Sequence, residues 1–171
     1  MAKNQPVTDK TQTSPLAIAC GQSDRLKGFH AVGLGAMKKG ERQCIAVPNT
    51  KLIGCSVALD EAAKGTHPLE NRWDYAVEYD GNTFFIEIHP ASTSEIECVI
   101  LKVRFVTGWL KKNAPELLSL PRKETGTRQF YWVSSGRTDI RILPNSRQAR
   151  QLALHHIKHV GRVWDYSKLF G

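Results

Sequence analysis

Two acids and a histidine are the side chains of this sequence best placed to do chemistry together. Asp74, Glu87 and His89 lie on two β-rich runs, residues 73–79 and 84–89, that flank Asp80-Gly81-Asn82-Thr83. A turn-forming tetrapeptide between runs rich in Val, Ile, Tyr and Phe predicts a β-hairpin. Alternation places Asp74, Ala76 and Glu78 on one face with Phe85, Glu87 and His89, and turns Trp73, Tyr75, Val77, Tyr79, Phe84, Ile86 and Ile88 to the other. Keeping the apolar faces together admits two registers. A two-residue Asp80-Gly81 turn sets Asp74 opposite Glu87, whereas a turn centred on Gly81-Asn82 sets it opposite His89. Opposed Cβ atoms stand about 5 Å apart, so the three groups are neighbours in either case. Two carboxylates that close repel unless a proton, a basic group or a divalent metal intervenes. Oxygen-rich pairs of this kind suit Mg²⁺ or Mn²⁺. The competing interpretation is a solvated sheet face on which Glu78, Glu87 and His89 are simply wet and Asp74 caps a turn.

The elements around the hairpin must hold these groups in place. Ser92-Thr93-Ser94-Glu95-Ile96-Glu97 contains two overlapping capping boxes, Ser92 with Glu95 and Ser94 with Glu97, opening a helix that runs to about Asn113. Its buried face is Ile96, Val99, Ile100, Val103, Val106 and Leu110, spaced by three and four. Upstream, residues 16–40 mix Ala and Leu with five glycines, which weakens any helix there. A strand at 43–47, an apolar stretch at 51–57 and one or two helical turns at 59–65 follow. Downstream come a strand at 129–133, a shorter one at 139–143 and a last helix from Ser146 to about Val160, with Ala149, Leu152, Ala153, His156 and Val160 inward. Polar residues 1–15 form a disordered tail, and 16–171 a single α/β domain with a mixed β-sheet of four to six strands flanked by helices.

The order helix, hairpin, helix, strand, with an acid on the first hairpin strand and an acid-x-base triplet on the second, resembles the PD-(D/E)XK nucleases over roughly residues 59–133. The resemblance implies a restriction-endonuclease-like core and Mg²⁺- or Mn²⁺-dependent hydrolysis of phosphodiester bonds in nucleic acid, DNA before RNA. Asp74 matches the motif aspartate and Glu87 the motif acid. The carbonyl of Ile88 matches the backbone metal ligand, and Asp60 or Glu61 the accessory acid. Trp73 replaces the motif proline and His89 the motif lysine. His89 would then orient water, or Lys102 on the following helix would supply the missing cation. A catalytically inactive module on the same scaffold, binding nucleic acid or a protein partner, is the alternative.

The charge distribution agrees with a polyanionic partner. The chain of 171 residues carries a net charge of +8, but residues 1–100 hold 10 Lys/Arg against 12 Asp/Glu while 101–171 hold 14 against 4. Such a concentrated positive field attracts nucleic acid, since each neutralised phosphate releases counterions. Arg137, Arg141, Arg147 and Arg150 are the expected backbone-binding groove, with Lys111, Lys112, Arg122, Lys123 and Arg128 as a second cluster. Trp164, Tyr166 and Phe170 are candidate docking aromatics for a larger complex. His155 and His159, four apart, would share a helix flank as metal ligands do, but no H-E-x-x-H glutamate accompanies them. Gly33-Leu34-Gly35 lacks the spacing and lysine of a phosphate loop. The four cysteines form no C-x-x-C pair and are expected to be buried free thiols. No run reaches the length of a membrane span and the N-terminus lacks an apolar signal, which predicts a cytoplasmic protein.

Overall fold

The computed structural model describes residues 14–123, 129–137 and 140–171. In chain order its elements are α1 (Pro15–Gln22), β1 (His30–Val32), β2 (Ile45–Ala46), β3 (Ile53–Ala58), α2 (Leu59–Lys64), β4 (Tyr75–Tyr79), β5 (Asn82–Pro90), α3 (Glu95–Asn113), α4 (Pro115–Leu118), β6 (Phe130–Ser135), α5 (Arg147–Leu154), β7 (Ile157–His159), β8 (Trp164–Asp165) and α6 (Tyr166–Phe170). A mixed six-stranded sheet has the order β1-β3-β4-β5-β6-β7, and β2 pairs with β8 in a small separate ribbon. Strands β1 to β5 of the main sheet pair antiparallel, while β5, β6 and β7 run parallel. The long helix α3 makes the crossover from β5 to β6 that a parallel pair requires.

Asp80 and Gly81 both take positive φ, 49° and 73°. That is the mirror-image turn which Asp-Gly favours, because its twist matches that of the flanking strands. It sets Tyr79 against Asn82 and Tyr75 against Ile86, the register that carries Asp74 towards Glu87.

Both faces of the sheet are covered. The predicted face of α3, joined by Trp109, packs with α1 on Ala76, Phe85, Phe130 and Trp132. On the opposite face Tyr75, Val77, Tyr79, Phe84, Ile86 and Ile88 meet Tyr131, Val133 and Trp164. Trp73 departs from its expected face and joins the helix side, edge-on to Phe130 at 5.2 Å between centroids. Strand alternation fails there because β4 begins only at Tyr75.

Glu78 is not a wet surface acid. It is 4% exposed, and its Oε2 accepts the Ser14 hydroxyl at 2.8 Å and the Leu16 N–H at 2.7 Å. Ser14 in turn accepts the Ala17 N–H at 3.1 Å, so serine and glutamate together satisfy the first turn of α1. Residues 14 and 15 of the expected tail thus belong to the fold, and residues 1–13 lie outside the described ones.

The capping boxes before α3 do not form. Ser94 makes no side-chain cap, Ser92 and Ser94 share a 2.7 Å hydrogen bond, and Glu95 turns away to His89. The imidazole engages the carboxylate that the capping box needs, and water can satisfy the backbone N–H left over.

The C-terminal prediction is corrected as well. Residues 140–143 form no strand, and position 139, like Arg128, lies outside the described residues. Helix α5 stops at Leu154, His156 takes φ 58°, and Ile157 enters the sheet opposite Phe130. Pairing with β6 and complete burial of Ile157 override the helical spacing. His155 and His159 therefore share no helix flank, and His159 Nε2 meets Ser134 Oγ at 2.7 Å.

All four cysteines are free. Cys20 and Cys55 are buried, Cys44 and Cys98 partly so. No helix among the described residues is long and apolar enough to cross a membrane.

Candidate acid–lysine site at the sheet edge

The ladder between β4 and β5 ends at Tyr75 and Ile86, and beyond it side chains take over from backbone. The Asp74 N–H donates to Glu87 Oε2 at 2.9 Å, and the Ile88 N–H donates to Asp74 Oδ2 at 3.0 Å. Each acid thus satisfies the backbone of the other strand. The Asp74 carbonyl accepts the N–H groups of Leu59 at 2.9 Å and Asp60 at 3.3 Å, which ties the start of α2 to the same point. Asp74 and Glu87 stand together at the carboxyl ends of β3 and β5, the edge where α/β sheets place ligands.

Lys102 completes the cluster from α3. It lies beside the buried stripe of Val99 and Val103, and its Nζ donates to Glu87 Oε1. The lysine side chain is 13% exposed and that of Glu87 not at all. Burial, reinforced by the charge of Asp74, pushes the Glu87 carboxyl up to about 8 despite Lys102 and the Asp74 N–H. Burial likewise raises Asp74, against the pull of Lys102 and the Ile88 N–H. Burial alone would lower the Lys102 ammonium, but the two acids outweigh it and hold it above its ordinary value. Two carboxylates share one lysine, so a proton or a metal must offset the remaining negative charge.

His89 follows on β5. Its Nδ1 is 3.7 Å from Glu87 Oε1 and its Nε2 2.7 Å from Glu95 Oε2. The Trp132 indole N–H anchors the His89 carbonyl at 3.1 Å. Cys98, one turn along α3 from Glu95, lies beside the same imidazole, and donor atoms of His89, Glu95 and Cys98 all fall within 4.8 Å of one another.

The acid pair offers oxygen donors only. No described residue donates to Asp74 Oδ1, and the three other carboxylate oxygens of the pair, each already engaged once, retain second lone pairs. Such a set fits a hard cation. The proposed accessory acids divide. Asp60 binds Arg72 at 2.6 Å, and Arg72 also holds the carbonyls of His67 and Pro68 at 2.8 Å, a clamp on the 65–72 loop. Glu61 is exposed on α2. Ile88 lines a cleft of about 470 Å³ with Glu41, Ser134, Gly136 and Arg162, whereas Asp74 and Glu87 do not line it.

Arg137, Arg141, Arg147 and Arg150 are all exposed. Among the described residues none of them pairs with a carboxylate. Arg137 stands two residues past the end of β6, whose Ser134 and Ser135 lie opposite His89 and Pro90, so the arginine segment begins at the same end of the sheet as the acids. Of the expected docking aromatics, Trp164 is fully buried, and Tyr166 and Phe170 close over Phe84 at 6.3 and 5.5 Å between centroids, serving the core.

Three participants had escaped the sequence. Glu41, whose Oε2 accepts the Tyr75 hydroxyl at 2.6 Å, lies 34 residues away in the chain and left no signal. In the sequence Glu95 reads as a capping residue and Cys98 as a buried thiol, and the signal that could find them is their i,i+3 spacing on one helix flank. No family model matches this chain, and no curated protein and no solved structure is significantly similar to it.

Proposed function

We propose that this chain is a metal-dependent nuclease of the PD-(D/E)XK type, hydrolysing phosphodiester bonds in DNA or RNA, with Lys102 in place of the motif lysine. The observation that carries this is the meeting of Lys102 Nζ with Glu87 Oε1 beside Asp74, which assembles two acids and a cation from one hairpin and the next helix. The order of α1, the antiparallel run β3-β4-β5, α3 and the parallel β6 supports a restriction-endonuclease-like core.

Asp74, Glu87 and the Ile88 carbonyl would hold Mg²⁺ or Mn²⁺. The metal would polarise a phosphoryl oxygen and acidify a bound water. Lys102 keeps Glu87 oriented and offers positive charge to the pentavalent phosphate. His89, steadied by Glu95, is the base nearest the pair and suited to orient water. Glu61 is the accessory acid free to turn inward. The arginines at 137, 141, 147 and 150 hold the backbone, which gives affinity without sequence preference.

A second reading is a non-catalytic module for nucleic acid or a protein partner. It is favoured by the complete burial of Glu87, which makes the acid pair a structural knot. Calorimetric titration of Mn²⁺, with cleavage assays on single- and double-stranded DNA and RNA, separates the two. The nuclease binds Mn²⁺ and cuts, and Glu87→Gln abolishes both while nucleic-acid binding persists. A wild type that takes no metal and cuts nothing leaves the binding module.

A further inference from the structure

We propose a second, softer metal site at the mouth of the acid pair, formed by His89 Nε2, a Glu95 carboxylate oxygen and Cys98 Sγ, for a divalent ion of the zinc class. It does not rest on the nuclease reading: its donors differ from Asp74 and Glu87, and an ion held there would take His89 as a ligand instead of leaving it to orient water.

The ligands come from two rigid elements. Glu95 and Cys98 are i,i+3 neighbours on the first turns of α3, so their side chains project from one flank. His89 stands near the end of β5, in the segment that leads into the helix. Their donor atoms lie within 4.8 Å of one another, and the closest pair, His89 Nε2 and Glu95 Oε2, is 2.7 Å apart. Tetrahedral zinc, bonded at about 2.0 Å to N or O and about 2.3 Å to S, sets its ligand atoms roughly 3.3–3.7 Å apart. Small side-chain rotations close that difference. All three residues are partly exposed, which gives an ion access.

Two further observations fit a metal rather than a plain ion pair. His89 Nδ1 faces the Glu87 carboxylate at 3.7 Å. A histidine bound through Nε2 would carry its N–H on Nδ1, towards that carboxylate, the direction that second-shell partners of ligating histidines take. The Cys98 thiol donates to Asn71 Oδ1 at 3.7 Å, which places an amide oxygen beside the sulfur. Three protein donors leave a fourth position for that amide or for water. One nitrogen, one sulfur and one oxygen select zinc, cobalt or a similar ion over magnesium. Binding replaces the Cys98 thiol proton with the metal and leaves the imidazole N–H on Nδ1, so binding releases protons and weakens as pH falls.

Cobalt reports such a site directly. One equivalent of Co²⁺, added to the full chain in excess Mg²⁺, should give a thiolate-to-cobalt charge-transfer band and intense tetrahedral ligand-field bands. Zn²⁺ should displace them. Cys98→Ser should remove the charge-transfer band, and both His89→Gln and Glu95→Gln should weaken Zn²⁺ binding at least about tenfold. Cys44→Ser, a change at the other half-buried thiol, should alter nothing. Glu87→Gln should keep the charge-transfer band even as it loses the Mn²⁺ response, so failure of one site is told apart from failure of the other. An octahedral cobalt spectrum without the band, or a band that survives in folded Cys98→Ser, overturns the proposal.

Discussion

Two glutamates on one sheet face, both out of solvent, have opposite surroundings. Glu78 lies near the turn end of the hairpin, where its Oε2 takes two donors, Ser14 Oγ and the Leu16 N–H, and closes the start of α1. The space around it is tight, since a Cβ on Gly54 would run into Glu78 Oε1. Glu87 lies at the open end, against a second acid and one lysine shared between them. The first carboxylate is held by two hydrogen-bond donors, and the second must share one lysine with another acid. Burial of an acid therefore says little about its role. What surrounds it decides.

The largest expected effect falls on the turn end. Glu78→Ala strands the Ser14 hydroxyl and the Leu16 N–H, each at a cost of about 1–3 kcal/mol, so urea denaturation should show a loss of about 4 kcal/mol. A loss below about 1 kcal/mol would mean that α1 is not anchored there.

Lys102→Met tests the open end. Removing one partner of a buried ion pair costs about 3–5 kcal/mol when the other must stay charged. Glu87 can take up a proton instead, so the loss should approach 3 kcal/mol only above pH 8 and shrink towards pH 6. Equal losses at both pH values would show that Glu87 does not titrate in this range.

The wild type carries a related signature. Because the Glu87 carboxyl is raised from 4.5 to about 8, folding takes up a proton between those values. Its contribution is complete below about pH 4.5 and fades as pH rises through 8, with a slope of up to about 1.4 kcal/mol per pH unit. Asp74, also raised, acts in the same direction. Glu87→Gln should flatten the slope and, at pH 8, leave the metal-free protein as stable as wild type or more so, the reverse of Glu78→Ala. Denaturation midpoints of both proteins from pH 5 to 9 check this.

The smallest effect concerns the arginines. Changing Arg137, Arg141 and Arg147 together to Gln should lower nucleic-acid affinity and reduce the salt slope by roughly one unit per lost phosphate contact, without changing stability by more than about 0.5 kcal/mol. An unchanged slope removes them from the interface.

The hairpin, its two faces and the helix after it were legible because their signals are local, whereas the choice between the two admissible registers was made only by the folded turn. Asp80-Gly81 accepts positive φ, alternation fixes which residues share a face, and the apolar positions of α3 recur at helical spacing. Those elements placed Asp74 beside Glu87 and left Lys102 within reach. Residues 152–160 show where local signals mislead, for their helical spacing yielded to a strand once Ile157 found a partner in β6. Sequence could not say that both faces of the sheet would be covered, and so could not tell a wet Glu78 from a buried one.

What the sequence by itself determined is the set of groups one hairpin and one helix bring together, since turn chemistry and periodicity act over a few residues. Only the tertiary structure decided how each acid is used. Ser14 reaches Glu78 across 64 positions, and Lys102 reaches Glu87 across 15 by folding α3 back over the sheet. Charge, desolvation and hydrogen bonding depend on neighbours in space, and no periodicity in the chain encodes those.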